Sequence, residues 1–255
     1  VDFELTSWLM VFLRASAMLS VFPIFSARNF PVQLRMALGA LMAVLVSPGV
    51  GLPANPPGDL WGIAGEMFME IGAGLMFGFA SRLIFYVLDI AGAVAGVEIG
   101  LSLPSDINPM SDSQSAAPAL VLYYMACMLW LTLDMHHWML AAFQKTYAFL
   151  PLGGAHLSHV FLTDIVAKTS QVFLIALELA APLMAVSFII SLVFSVLGRA
   201  VPQMNVFHES FAVRPLVGMS VFGLTLDLMA QHIVNYLRHL PEDMLRVAQL
   251  MGAKG

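Results

Sequence analysis

The sequence predicts an all-α protein: about six apolar helical segments, kinked in places and arranged as hydrophobic hairpins. Three observations predict it. The 255 residues are 60% hydrophobic and 11% charged, whereas a soluble domain carries roughly 25% charge. Mean hydropathy is +0.86, and the apolar residues fall in runs that reach the length of a bilayer span, about 20 residues. Between the runs, Gly and Pro cluster in short breaks. The chain therefore belongs in a membrane or inside a hydrophobic complex. A net charge of −5 with no basic block argues against nucleic acid as a partner. The single cysteine, Cys127, excludes an intrachain disulfide and a Cys-built metal centre.

Taken in order, the first apolar run is Trp8 to Phe25, holding Arg14 and closing on Pro23. Val1-Asp2-Phe3-Glu4 lacks the basic region of a signal peptide, so this run is expected to remain in the mature protein. Ser26 to Pro31 forms a polar turn, and Pro31 can open the next helix. That helix runs through Arg35 to Val46 and stops at Ser47-Pro48-Gly49. Gly51 to Gly58, dense in breakers, is a loop.

Trp61 to Ile90 exceeds one span. Within it Glu66, Glu70, Gly74, Gly78 and Arg82 recur every four residues, drifting about 40° per step around a helix. The spiral reads either as solvated acids with routine glycine packing or as a contact with a neighbouring subunit. Gly92, Gly96 and Gly100 repeat the spacing and suit close helix packing. No phosphate-binding glycine motif accompanies them. Leu101 to Pro118, with its prolines and serines, is a long polar loop.

Ala119 to Phe143 carries Asp134, His136 and His137. A metal site or proton relay is conceivable there. Adjacent histidines on a helix point about 100° apart, however, and no further ligand sits at a matching turn, so the cluster reads as a helix end or polar contact. Lys145 to Gly154 leads to a weakly polar connector with His156, His159 and Asp164. In Gln171 to Leu197, Pro182 frees the carbonyl of Glu178 and predicts a kink. Glu178 and Asp227, each inside an apolar run, need partners or water. The tail from Leu237 to Gly255 reads as a short amphipathic surface helix.

The break between the last two apolar runs is Gly198-Arg199-Ala200-Val201-Pro202-Gln203-Met204-Asn205-Val206-Phe207. Gly198 can take positive φ, and Pro202 disfavours helix at Val201. The string Arg199-x-x-Pro202-Gln203-Met204-Asn205-Val206-Phe207 resembles the signature of the FliR/SctT family of type III export-gate proteins. Downstream, Phe211 matches the family pattern and Arg214 keeps the cation of its lysine, while Ser210 and Ala212 depart from it and His208 and Glu209 are more polar than it. The turn with Pro23, Pro31 and Arg35, and Leu150-Pro151-Leu152-Gly153, also resemble the family.

The resemblance implies one export-gate domain over 1–255: N-terminal hairpins in 1–100, a central loop in 101–118 and C-terminal hairpins in 119–255. The loop stands where FliR-like proteins place a channel plug, which would comprise Leu101, Pro104, Ser105, Asp106, Ile107, Asn108, Pro109, Met110 and Ser111. One copy would assemble with FliP-like and FliQ-like subunits into a helical cone, alongside an FlhB-like subunit. It would sit in the bacterial inner membrane, partly raised toward the periplasm, and pass unfolded protein substrates. The signature residues would contact neighbouring subunits. No cofactor, metal or catalytic residue is expected. Asp134 and Asp227 lack the Gly-x-Gly-Asp context of an aspartyl pair, and no His-Glu-x-x-His or Gly-x-Ser-x-Gly occurs. The competing reading is a small-solute or ion transporter that uses Glu66, Glu70, Glu178 or Asp227 as its polar pathway.

Overall fold

The computed structural model describes residues 2–27, 30–50, 60–101, 117–156, 158–201 and 206–253. Every regular element among them is helical: α1 (Asp2–Val21), α2 (Pro23–Ser26), α3 (Val32–Val46), a 3-10 turn (Ser47–Gly49), α4 (Leu60–Ile99), α5 (Ala117–Thr132), α6 (Met135–Phe149), α7 (His159–Ala200) and α8 (Val206–Gly252). Four helices are long and apolar enough to cross a membrane, and five if α5 and α6, bent by 74°, count as one broken span.

The breaks follow local chemistry. Phe22, preceding Pro23, is extended (φ −60, ψ 127) and separates α1 from α2, as steric conflict with a following proline requires. Pro31 precedes α3 in the same conformation. The end of α4 is a Schellman cap: Gly100 has φ +81, its N–H donates to Val97 O, and Leu101 N–H donates to Gly96 O. Gly100 is therefore a cap and no part of a packing stripe, since a Cβ there would meet nothing within 4 Å. Leu101 belongs to this cap too. The remaining plug-position residues, Pro104 to Ser111, lie outside the described residues.

Three sequence expectations change. Gly198 is an ordinary helical residue, because α7 runs to Ala200, and signature residues 202–205 lie outside the described residues. Both His159 and Asp164 lie in α7 and not in a connector. The tail is no separate surface helix: it is the end of α8, and Leu237, Leu240, Met244, Val247, Ala248 and Met251 are all buried. The apolar stripe at three- and four-residue spacing was legible, but its partner is this chain's own core.

By internal contacts the chain divides into two compact units interleaved in sequence. The first comprises Val1–Leu83, Trp130–Thr169 and Tyr236–Gly255, and the second Ile84–Leu129 and Ser170–Asn235. In the first unit α1 lies along α3 and the early part of α4. Ser158 caps α7, its Oγ accepting from Phe161 N–H at 3.1 Å. The same hydroxyl donates to Leu250 O at 3.3 Å, and His156 N–H donates to Met251 O at 3.0 Å. Carbonyls that the end of α8 would leave orphaned are thus satisfied by the 156–158 connector. In the second unit, α4 approaches α5 at Gly92, where an added Cβ would overlap the Ala119 backbone, and approaches α8 at Gly218, where an added Cβ would come within 2.8 Å of the Ile99 side chain.

Candidate functional site

The most concentrated polar chemistry is buried in the first unit. Arg14 and Glu70 are both fully buried. Arg14 Nε donates to Glu70 Oε2 at 2.5 Å and Nη2 donates to Oε1 at 2.9 Å, a bidentate fork. Arg14 Nη1 donates to Leu150 O at 3.0 Å, and Gly153 N–H donates to Glu70 Oε1 at 3.0 Å. The guanidinium lies 4.1 Å from the Tyr147 ring centroid, a cation–π distance. One ion pair therefore joins α1, α4, the end of α6 and the Leu150–Gly153 connector.

Glycines admit this arrangement. A Cβ on Gly74 would overlap Arg14 O and come within 2.8 Å of Ala17 Cβ, and one on Gly78 would reach Met18 O at 2.6 Å. Gly153 has φ +71, and a Cβ there would meet the Glu66 carboxylate at 2.9 Å. The spiral of Glu70, Gly74 and Gly78 therefore faces α1 of its own chain, which corrects the reading of these residues as a contact with another subunit. Glu66 is half-buried, with Oε2 enclosed and without a hydrogen-bond partner, as is the Tyr147 hydroxyl. Arg82 is half-buried, and Gly96 is buried.

Glu178 and Asp227 are not buried within the chain. Both are exposed, and Asp227 accepts a 3.0 Å hydrogen bond from Gln231 one turn on. Of the signature, Pro202, Gln203, Met204 and Asn205 lie outside the described residues, as do the side chains of Phe207 and Phe211. Arg199 lies in the last turn of α7, and Arg214 Nη2 donates to Ser191 Oγ at 2.8 Å across α7 and α8. Around Phe22, Met42, Trp130 and Met139 is an apolar cavity of about 230 Å³.

Sequence reasoning located Glu70 but missed Arg14, Tyr147 and the Leu150 carbonyl as its partners. The signal was present: an arginine in the middle of an apolar run demands a buried anion. Which anion could not be read, because 56 residues separate the pair.

An all-helical chain with membrane-length spans, held by a buried ion pair and by glycine-mediated helix contacts, is a membrane protein of helical-hairpin type. The chain matches the family described as bacterial export proteins, family 1, over residues 5–240, and belongs to it; this is the FliR/SctT family. It is similar to the flagellar biosynthetic protein FliR of Caulobacter vibrioides, 28% identical over 91% of this chain and 92% of that protein. Against the flagellar biosynthetic protein FliR of Escherichia coli the identity is 28%, over 94% of each chain. Yop proteins translocation protein T of Yersinia pestis is 25% identical over 79% of this chain and 78% of its own length.

Proposed function

We propose that this chain is the channel-forming FliR-like subunit of a type III protein export gate in the bacterial inner membrane, a gated steric conduit for unfolded substrates and not a catalyst. The observation that carries the reading is the match along nearly the whole chain to relatives named for flagellar biosynthesis and Yop translocation. The distribution of burial supports it. In the most apolar 18-residue stretch of α4, 61% of the residues are buried within the chain, against 22% in the corresponding stretches of α7 and α8. The latter two helices offer faces to partners, which we assign to FliP-like and FliQ-like subunits, with an FlhB-like subunit alongside. Glu70 is unsuited to a transport pathway because Arg14 and Gly153 already occupy its carboxylate.

Native mass spectrometry of the chain co-expressed with its genomic neighbours tests the reading. A single copy within a hetero-oligomer of small hydrophobic subunits is expected; a monomer or homodimer that never takes up partners would overturn it. Deleting 106–115 should leave assembly intact and make the membrane leak small ions. Unchanged conductance would show that this loop seals nothing. Gly96→Leu should abolish assembly while insertion persists, and normal stoichiometry would remove the glycine from the packing argument.

A further inference from the structure

Three metal-ligating side chains meet at the break between α5 and α6, and the export reading gives them no task. Asp134 Oδ1 lies 3.9 Å from His136 Nε2 and 3.8 Å from His137 Nδ1, with all three donor atoms within 4.8 Å of one another. The angle between adjacent helical histidines argued against such a site, but Asp134 precedes the helix and its carboxylate lies beside both rings. Its φ of 52 places it before α6 and turns its carboxylate back over the first turn. The histidine rings also converge, their centroids 4.1 Å apart.

We propose that Asp134, His136 and His137 form a site for one divalent transition-metal ion of the Zn²⁺ type. Two imidazole nitrogens and one carboxylate oxygen are the donor set such ions take, leaving a position open for water or a further ligand. Tetrahedral coordination at about 2.0–2.2 Å brings donors roughly 3.4 Å apart. Each Asp–His separation must therefore close by about half an ångström. The Asp134 and His137 side chains are about 70% exposed, free to make that adjustment by rotation. His136 is the fixed member: its ring rests against Trp130 at 5.7 Å, and its Nδ1 is enclosed. The Asp134 carboxylate makes no capping hydrogen bond to α6, so it remains available as a ligand. Its charge also offsets the unfavourable dipole that a helix N-terminus presents to a cation. A bound ion would fix the start of α6 against the break that precedes it.

The inference is independent of the export role and is tested on the full chain, purified in mild detergent and stripped with chelator. Titration with Zn²⁺ should show one ion per chain. The affinity should fall at least about tenfold, or 1.4 kcal/mol, in His137→Ala and in Asp134→Asn. The asparagine keeps a residue that tolerates the left-handed backbone. With Cu²⁺ as a spectroscopic probe, hyperfine coupling to two imidazole nitrogens should drop to one in His137→Ala. His239→Ala, at the exposed His239–Glu242 pair, should leave binding unchanged. Equal affinity in the parent, His137→Ala and Asp134→Asn, or loss of binding in His239→Ala alone, would overturn the site.

Discussion

Replacing Arg14 by methionine isolates the buried ion pair. Both side chains are fully shielded from solvent, so the substitution leaves the Glu70 carboxylate buried with Gly153 N–H as its remaining described donor. Breaking a buried pair by removing one partner costs about 3–5 kcal/mol. Orphaning the Leu150 carbonyl, which Arg14 also satisfies, adds about 1–3 kcal/mol. Against a total stability of about 5–15 kcal/mol, this is a large fraction. For a chain of this size, the ion-pair term alone corresponds to a fall in Tm of roughly 6–20 °C. The assay is thermal unfolding in mild detergent, followed by the fluorescence of Trp8 and Trp130 in the same unit. The double variant Arg14→Met/Glu70→Met removes both charges and should recover most of the loss, because a buried pair is worth little more than apolar groups of its volume. A single variant within about 1 kcal/mol of the parent would refute the assignment of this pair as the unit's clamp. So would a double variant as unstable as the single.

Neighbouring glycines on α4 should behave oppositely. Gly74→Ala, whose Cβ collides with α1 backbone, should cost about 1–3 kcal/mol. Gly72→Ala, with nothing within 4 Å, should gain up to about 1 kcal/mol from helix propensity. Equal effects in thermal melts would remove the close α1–α4 contact. The charge pair Lys168–Asp243, which joins α7 to the end of α8 beside Arg246–Asp164, should contribute about 0.2–1 kcal/mol. Lys168→Glu should destabilise by more than this, and Lys168→Glu/Asp243→Lys should restore the parent Tm. Failure of the swap to restore it would mean that the two helices are not held in this register.

How much was legible followed the range of the cause. Pro23, Pro31 and the Ser47-Pro48-Gly49 stop act through their own backbone, and the elements change where those residues stand. Gly100 was legible as a special glycine but was assigned to the wrong task, because a stripe at four-residue spacing and a C-cap use the same residue. Gly198 looked like a break and is not, since a glycine in a long apolar run is held helical by its neighbours. The polar clamp was half legible: the sequence exposes Arg14 and Glu70 as charges that need partners, and packing alone decides that they need each other. At Asp134 a helix end was legible; the left-handed backbone that sets its carboxylate beside His136 and His137 was not.

Glu178 carries the remaining question of what covers α7. The exposed residues Phe173, Leu174, Leu177, Phe188, Ile189, Leu192, Val193 and Val196 spread over roughly half the helix circumference at about 100° per residue. Glu178 is exposed among them, near the midpoint of the His159–Ala200 span. A carboxylate facing lipid at mid-bilayer would cost about 2.5–3.5 kcal/mol even on the most lenient scale, so this face meets protein or water. Glu178→Leu separates the cases. On a lipid-facing surface it should raise stability and leave the hetero-oligomer unchanged. On a subunit contact it should leave the isolated chain folded and reduce co-purification of the partner subunits several-fold. We expect the second result, and the first would assign α7 to lipid.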